Sequence, residues 1–266
     1  MSFDERPLGD RGSVLVSTAM ERAGFLAAFT GRPGGTSAGP FGSLNLSQVV
    51  GDADAAVRAN RALVVDELGL GGPFALPEQV HGGDLAEVGP DGTGAGFADP
   101  AERLPGADAI VTAAIGTPVA VLTADCLPIA LAAPSTRLLA VVHAGWRGLA
   151  AGIVSRAVTR LGDAAGIVAA IGPAIGPDHY EVGDDVAEAV AASSPDGART
   201  DRRNGRLFLD LAGTAEATLR HLGVREVEVA GICTACERDR YFSHRAEGGA
   251  TGRQAVVAER RWTGGG

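Results

Sequence analysis

Two histidines and one cysteine carry the strongest chemical signal in this sequence. His81, Cys126 and His143 each stand where a predicted β-strand runs into a tight turn. Imidazole nitrogens and a thiolate sulfur bind Zn²⁺ well, and a catalytic zinc site commonly has three protein ligands and a fourth position for water or substrate. Since functional residues are often placed in loops at the ends of buried elements, we expect these side chains to hold one metal ion in an enzyme.

The same residues permit other chemistries. In a cysteine hydrolase, Cys126 would be the nucleophile and His143 its base. A His₂Cys set also suits type 1 copper, which usually has an axial methionine, but the only methionines are Met1 and Met20. The five histidines include no His-x-His pair of the kind expected in a multi-copper oxidase. His81, as a third soft ligand, favours a metal site over the hydrolase, and the methionine and histidine patterns favour zinc over copper.

Asp125 directly precedes Cys126 and has two interpretations. Its carboxylate could orient a ligand imidazole or a bound water, and shuttle a proton during catalysis. Equally, it could cap the turn that follows the strand. Both interpretations remain open at the level of the sequence.

A second pair of cysteines lies near the C-terminus. Cys233 and Cys236 have the spacing of zinc ligands, but a second such pair is missing. The signature of zinc nucleobase deaminases, His-x-Glu with Pro-Cys-x-x-Cys, is also absent. The spacing alone therefore does not predict a structural zinc site.

The composition excludes several classes of protein. The chain has 266 residues, is 45% hydrophobic and carries a formal net charge of −9, which argues against a nucleic-acid-binding protein. No apolar run is long enough to span a membrane, and the polar N-terminus does not resemble a signal peptide. Three cysteines do not make a disulfide framework, so we expect a cytoplasmic protein.

All 23 basic residues are arginines, so any bound anion must be held by guanidinium groups or backbone N–H groups. Arg147 follows His143 at the predicted start of a helix, where an anion is favoured. Arg61 lies in another predicted helix. These two arginines are candidate ligands of a phosphate group.

The pattern of apolar runs predicts a mixed α/β layered sandwich in a single domain spanning residues 1–266, with frayed ends at about 1–12 and 263–266. Asp52 is the predicted N-cap of the first helix, and Gly69 its end. Helices are predicted at 52–68, 148–161, 184–192 and 211–222. Strands are predicted at 25–29, 109–112, 119–123, 129–132, 138–142, 167–171, 207–209, 226–230 and 254–258.

Taken together, the motifs resemble one family, the YfiH-like or laccase-domain proteins, also called purine nucleoside phosphorylase or polyphenol oxidase. The most specific segments are Thr-Ala-Asp-Cys at 123–126 and His-Ala-Gly-Trp-Arg-Gly at 143–148. One departure is Ala246, where many relatives have a second arginine. The other matching segments, in chain order, are residues 29–32, 34–35, 42–46, 51–52, 60–61, 79–82, 107–109, 127–128, 171–175, 180–183, 233–234, 242–245 and 252–253.

The resemblance implies a YfiH-like fold with zinc on His81, Cys126 and His143. It implies phosphorolysis of adenosine, inosine and S-methyl-5′-thioadenosine, and deamination of adenosine. Partners would then be a small purine nucleoside and phosphate, with neither nucleic acid nor membrane, in a monomer or homodimer. The substrate-binding residues expected on this basis are Asn45, Arg61, Arg147 and Arg245. Alternatives within the family are a cysteine amidase acting on a cell-wall precursor through Cys126 and His143, and a copper-dependent polyphenol oxidase.

Overall fold

Residues 3–261 are described by a computed structural model. Within this range the strands are β1 (Phe3–Leu8), β2 (Gly12–Ser17), β3 (Phe25–Thr30), β4 (Leu85–Glu87), β5 (Ala109–Thr112), β6 (Val119–Thr123), β7 (Leu127–Ala133), β8 (Leu138–Ala144), β9 (Val168–Ile171), β10 (Glu181–Val182), β11 (Thr200–Arg203), β12 (Arg206–Leu209), β13 (Glu226–Val229) and β14 (Gln254–Arg260). The α-helices are α1 (Thr18–Arg22), α2 (Asp54–Leu68), α3 (Trp146–Ala150), α4 (Ile153–Leu161), α5 (Asp184–Ser193) and α6 (Leu211–His221).

The strands form two large sheets and one small one. The first large sheet has the order β1-β2-β3-β14-β6, and the second has the order β13-β9-β7-β8-β5-β4. Most neighbouring strands are antiparallel, but β13 pairs with β9, and β4 with β5, in parallel. A three-stranded antiparallel sheet, β10-β12-β11, completes the described set.

The two large sheets pack face to face over an apolar core. Along β7, Ala130 and Ala132 face the first sheet, whereas Leu127, Ile129 and Leu131 face the helices on the other side. Side chains alternate between the two faces of a strand, so a strand covered on both faces is apolar throughout. Helices α3, α4 and α6 cover the second sheet, and α2 covers the first. The result is the predicted mixed α/β sandwich, in four layers.

Two elements differ from the prediction. The polar segment Phe3–Leu8 was expected to be frayed, but it forms an edge strand that pairs with β2. The helix predicted at 148–161 is divided into α3 and α4, because Gly152 adopts φ 72° and interrupts the helical backbone. The frayed end predicted at 263–266 lies outside the described residues.

The ends of α2 show which of the predicted caps are used. Ala53, and not Asp52, is the N-cap residue, and it has no side chain that can accept a hydrogen bond. Gly69 ends the helix as predicted, with φ 56° in the left-handed region that glycine tolerates best.

None of the helices in residues 3–261 combines the length and apolarity needed to cross a bilayer.

Strand register brings the three predicted ligands to one end of the sandwich. On β8, His143 lies on the same face as Leu139 and Val141, which contact the first sheet. Leu127 of β7 pairs with Ala144 of β8, so Cys126 lies just beyond that pair and close to Gly145. His81 enters from the loop between α2 and β4, next to the start of β5.

Candidate metal centre and its cavity

His81, Cys126 and His143 form a group that could hold a metal ion. One ligand atom from each residue lies within 4.8 Å of the others. His143 is buried, Cys126 is half-buried and His81 is exposed, so the group is closed on the protein side and accessible on the other. The two imidazole rings meet edge to face, with centroids 4.8 Å apart. Three donors with an open side fit a catalytic rather than a closed structural zinc site.

Asp108 orients two of these three residues. Its Oδ1 atom lies 2.7 Å from Nδ1 of His143, which leaves Nε2 for a metal. The same carboxylate accepts backbone N–H groups from Val80, His81 and Gly82 at 3.1, 2.9 and 2.6 Å. Such a partner sets the tautomer and direction of a ligand imidazole.

The backbone around the three residues has unusual conformations and one very close approach. His81 and Asp125 have φ values of 60° and 88°, which are uncommon for residues with a side chain and are frequent at functional sites. Gly145 follows β8, and a Cβ atom added there would lie 3.0 Å from the Cys126 sulfur. A glycine is therefore needed at 145 for close packing against the ligand.

Charge interactions favour an ionised pair between Cys126 and His143. Burial by itself would raise the pKa of the Cys126 thiol, but hydrogen bonds and charge interactions with His143 and His81 lower it to about 6. Burial would lower the pKa of His143, but Asp108 and the Cys126 sulfur raise it to about 9. Near neutral pH the metal-free site therefore contains a thiolate beside an imidazolium, and a metal must displace the imidazolium proton.

Asp108 remains ionised as the partner of His143. Burial acts to raise its pKa, but the hydrogen bond to His143 and the backbone N–H groups of Gly82 and His81 outweigh it, and the pKa lies below the usual value. A buried carboxylate with several donors is stabilised in its charged form.

A cavity of about 360 Å³ opens in front of the three ligands. This volume is in the range of small-molecule sites. Its apolar wall includes Val49, Val50 and Leu122, and its polar lining includes Arg103 and Arg253. The remaining lining residues are Ser47, Gln79, Thr123, Ala124 and His244.

Two of the predicted substrate-binding residues lie beneath this cavity. Asn45 is fully buried; its side chain bonds the backbone of Ser47 and Arg253 and the carboxylate of Asp52. Arg61 is 2% exposed and donates to Gln48 and to carbonyl oxygens of residues 46, 96 and 97. Burial is the main reason that its pKa falls to about 10. Both side chains therefore support the cavity wall from behind. Neither is among the residues that line the cavity.

The other predicted residues are directed elsewhere. The guanidinium of Arg147 is exposed and stacks on Trp146 at 4.5 Å. Arg245 stacks on Tyr180 and donates to carbonyl oxygens of His179 and Glu181. The Asp125 carboxylate accepts 2.6 Å bonds from the Thr234 hydroxyl and the Arg245 N–H, so it braces the turn before Cys126.

Little in the local sequence predicted three residues of the site. Asp108 was visible only as part of the matching segment at 107–109, and Arg253 as part of that at 252–253. Arg103 lies in a loop rich in glycine and proline, and no motif around it in the sequence marks it as a functional residue. The role of Asp108 depends on its bond to His143, 35 residues away in the sequence.

Comparison with known proteins gives consistent matches. Residues 26–261 match the family model described as multi-copper polyphenol oxidoreductase laccase. The chain is 39% identical over 256 residues to purine nucleoside phosphorylase YlmD of Geobacillus stearothermophilus, covering 91% of this chain and 93% of the relative. It is 36% identical over 234 residues to purine nucleoside phosphorylase YfiH of Escherichia coli, covering 87% and 92%.

Solved structures show the same fold. The crystal structure of YlmD from Geobacillus stearothermophilus superposes with a TM-score of 0.90 at 36% identity, covering 98% of this chain and 99% of that one. Protein NMB0706 of Neisseria meningitidis gives a TM-score of 0.79 at 32% identity, covering 98% and 100%.

Proposed function

Because the chain belongs to the family described as multi-copper polyphenol oxidoreductase laccase, and relatives at 36, 39 and 41% identity are named purine nucleoside phosphorylases, we propose that it is a zinc-dependent purine nucleoside phosphorylase. Its substrates are adenosine, inosine and S-methyl-5′-thioadenosine, and it also deaminates adenosine. The observation that carries this proposal is the three-ligand group at one side of a cavity that also contains two arginines.

The donor set fits zinc better than copper. His81, Cys126 and His143 supply two nitrogens and one sulfur, which suit a tetrahedral zinc ion with one free position. Type 1 copper would require a weak axial ligand, and Met20 is buried in the core between the sheets. When bound, zinc would supply Lewis-acid polarisation and a lowered pKa for water.

Arg103 and Arg253 are the proposed phosphate ligands. Both line the cavity, and in a chain with a net charge of −9 a local pair of guanidinium groups is needed to attract an anion. Arg253 is held in place by hydrogen bonds from its Nη1 atom to the carbonyl oxygens of Thr251 and Gly252. Arg103 is held by a 2.8 Å bond to the carbonyl of Pro100. These backbone contacts restrict both side chains before an anion binds.

The rest of the cavity suits a nucleoside. Val49, Val50 and Leu122 offer an apolar surface for a purine ring. Within residues 3–261, the buried Thr123 hydroxyl, beside the cavity, has no hydrogen-bond partner. A buried polar atom without a partner is unusual and calls for an explanation.

In phosphorolysis, a phosphate oxygen forms a bond to C1′ while the C1′–N bond breaks. The departing purine nitrogen takes up a proton, for which the exposed, cavity-lining His244 is the proposed donor. Arg103 and Arg253 orient the phosphate for this attack. Deamination instead exchanges the purine amino group for the oxygen of water and releases ammonia.

The two reactions are separated by their products. Purified protein is incubated with adenosine, with and without phosphate, before and after chelation and with zinc restored. We expect adenine and ribose 1-phosphate only with phosphate, inosine with or without it, and loss of both after chelation. Absence of turnover under every condition would overturn the proposed function.

The arginines are tested by their effect on phosphate. Arg103→Gln and Arg253→Gln should each raise the KM for phosphate roughly tenfold or more, since a charge-assisted hydrogen bond contributes about 1.5–3 kcal/mol. Arg147→Gln is the matched control, because Arg147 lies outside the cavity lining. An unchanged phosphate KM in both cavity variants would assign the phosphate to other residues.

A cysteine amide hydrolase acting on a cell-wall precursor is the second candidate. It is favoured by the thiolate and imidazolium pair of Cys126 and His143, which resembles an activated nucleophile. Metal-free protein would then cleave an amide of a peptidoglycan precursor, and alkylation of Cys126 would abolish cleavage. Activity that is lost with the metal and restored by zinc would exclude this mechanism.

A further inference from the structure

We propose that His179, Cys233 and Cys236 form a second zinc site, separate from the group in the cavity. Their ligand atoms lie within 4.8 Å of one another. Nδ1 of His179 is 3.7 Å from the Cys233 sulfur and 3.6 Å from the Cys236 sulfur. Zinc–ligand distances of about 2.3 Å for sulfur and about 2.0–2.1 Å for nitrogen separate two tetrahedral ligands by roughly 3.6 Å. The three donors are thus spaced as they would be around one zinc ion.

The backbone donates a hydrogen bond to one of the two sulfurs. The Gly176 N–H group donates to the Cys233 sulfur at 3.1 Å. A Cβ atom on Gly176 would lie 3.1 Å from Cβ of Cys233, so a glycine permits the close approach. Hydrogen bonds of this kind orient metal ligands and stabilise their charge.

Two segments that are distant in sequence are fixed beside each other at this site. Ala174 forms a parallel bridge with Cys233, and the N–H of Thr234 donates to the Ala174 carbonyl at 3.0 Å. The Cys236 N–H donates to the Cys233 carbonyl at 3.2 Å, which closes a turn between the two cysteines. The N–H of His179 is bonded to the Gly176 carbonyl at 3.0 Å. The ligands are therefore placed by main-chain bonds before any metal arrives.

A redox pair is the main alternative for two cysteines with this spacing. A disulfide between Cys233 and Cys236 would need only the two sulfurs, and here both are free thiols. His179 adds a third donor that is almost equally distant from each sulfur. A metal ion requires such a third donor, whereas a disulfide bond forms without one. The fourth coordination position is open to water or a ligand, because all three residues line a cavity of about 330 Å³.

The site also connects to the first ligand group. Thr234, between the two cysteines, donates its hydroxyl to Asp125 at 2.6 Å. Ile175, on the other segment, donates its N–H to the Asp125 carbonyl at 2.9 Å. A metal on His179, Cys233 and Cys236 would join these two segments and so hold the turn before Cys126.

The test uses full-length protein with the first site removed. Zinc is measured by atomic emission in wild-type protein, Cys126→Ala, and Cys126→Ala combined with His179→Ala or with Cys233→Ser and Cys236→Ser. We expect about two zinc ions per chain in wild type, about one in Cys126→Ala and none in the combined variants. Co²⁺ added to metal-free Cys126→Ala should give an intense thiolate charge-transfer band, which the combined variants lack. His221→Ala in the same background is the matched control, because His221 is paired with Asp196 away from this site.

Two results would overturn the proposal. One is folded Cys126→Ala protein, checked by circular dichroism, that binds neither zinc nor Co²⁺. The other is a Cys233–Cys236 disulfide found by mass spectrometry in protein purified without oxidants. If the double cysteine variant does not fold, His179→Ala decides the question in otherwise wild-type protein, where the loss of one zinc equivalent is expected and unchanged zinc content contradicts the site.

Discussion

At the residue scale, Asp108 links the strand framework to the metal ligands. Its carboxylate contacts His143 directly and holds the loop that carries His81 through three N–H groups. His81, Cys126 and His143 supply the donor atoms, but their directions depend on this buried charge.

Replacing Asp108 should therefore weaken metal binding. Asp108→Asn removes the charge that favours the correct His143 tautomer, and we expect zinc affinity at the first site to fall about 10- to 100-fold. A buried donor left without a partner should also cost about 1–3 kcal/mol in the free energy of unfolding. Chelator competition and chemical denaturation measure the two effects. Asp84→Asn, at an exposed carboxylate nearby, should change neither, and equal affinities in the two variants would contradict this role.

The ionised pair predicts how Cys126 reacts with pH. The pKa of its thiol is lowered, so the reactive thiolate forms as the pH rises through about 6 and is lost below it. In metal-free protein, iodoacetamide labelling of the Cys126 peptide should follow this midpoint, and zinc should protect the thiol. His143→Ala should move the midpoint upward, toward the usual thiol value of about 8.5. Labelling that follows the same pH curve in both proteins would show that His143 does not stabilise the thiolate.

At the element scale, the end of β8 and the start of α3 must pass very close to the ligands. Gly145 is the N-cap residue of α3, and its φ of −77° is accessible to any residue. Space, and not backbone conformation, is therefore what demands glycine at this position.

A methyl group at 145 should disturb the metal group selectively. Gly145→Ala would place Cβ 3.0 Å from the Cys126 sulfur and 3.4 Å from Cδ2 of His81. We expect zinc affinity to fall by roughly tenfold, with overpacking costing about 1–3 kcal/mol of stability. Isothermal titration of zinc into metal-free protein measures the change in zinc affinity. Gly89→Ala is the control, because a Cβ there meets no atom within 4 Å; a similar loss in both variants would refute the steric explanation.

Local sequence predicted some elements well and others poorly. The strands at 109–112 and 119–123 have the predicted bounds because they are short apolar runs between turn residues. The segment at 3–8 was missed because an edge strand needs few apolar residues and depends on its partner β2. The break at Gly152 was missed because one glycine inside a helical pattern is often tolerated.

At the scale of the whole molecule, the first ligand group joins three parts of the sandwich. Cys126 and His143 lie at the ends of β7 and β8, whereas His81 belongs to a loop held against β5. None of the three belongs to the apolar clusters of the core, although His143 is buried at the end of β8. The fold should therefore persist without the metal, as expected for a catalytic site.

His81→Asn tests this expectation. Asparagine tolerates the positive φ at this position better than most residues, so the change removes a ligand with little backbone strain. We expect a folded protein whose stability lies within about 1 kcal/mol of metal-free wild type, with nucleoside turnover lost. Circular dichroism, thermal unfolding and the adenosine assay measure these properties. An unfolded variant would instead indicate a structural metal, since zinc of that kind contributes directly to folding.

The sequence by itself determined the donor types and the layers. Apolar runs with turn residues between them predict buried strands, and Cys126 and His143 at the ends of such runs predict a functional site, because both signals are local. Only the tertiary structure brought Asp108 to His143, Arg103 to Arg253 and His179 to the two late cysteines. These contacts join residues tens to more than a hundred positions apart, and they arise from strand register and loop packing, which local periodicity does not encode.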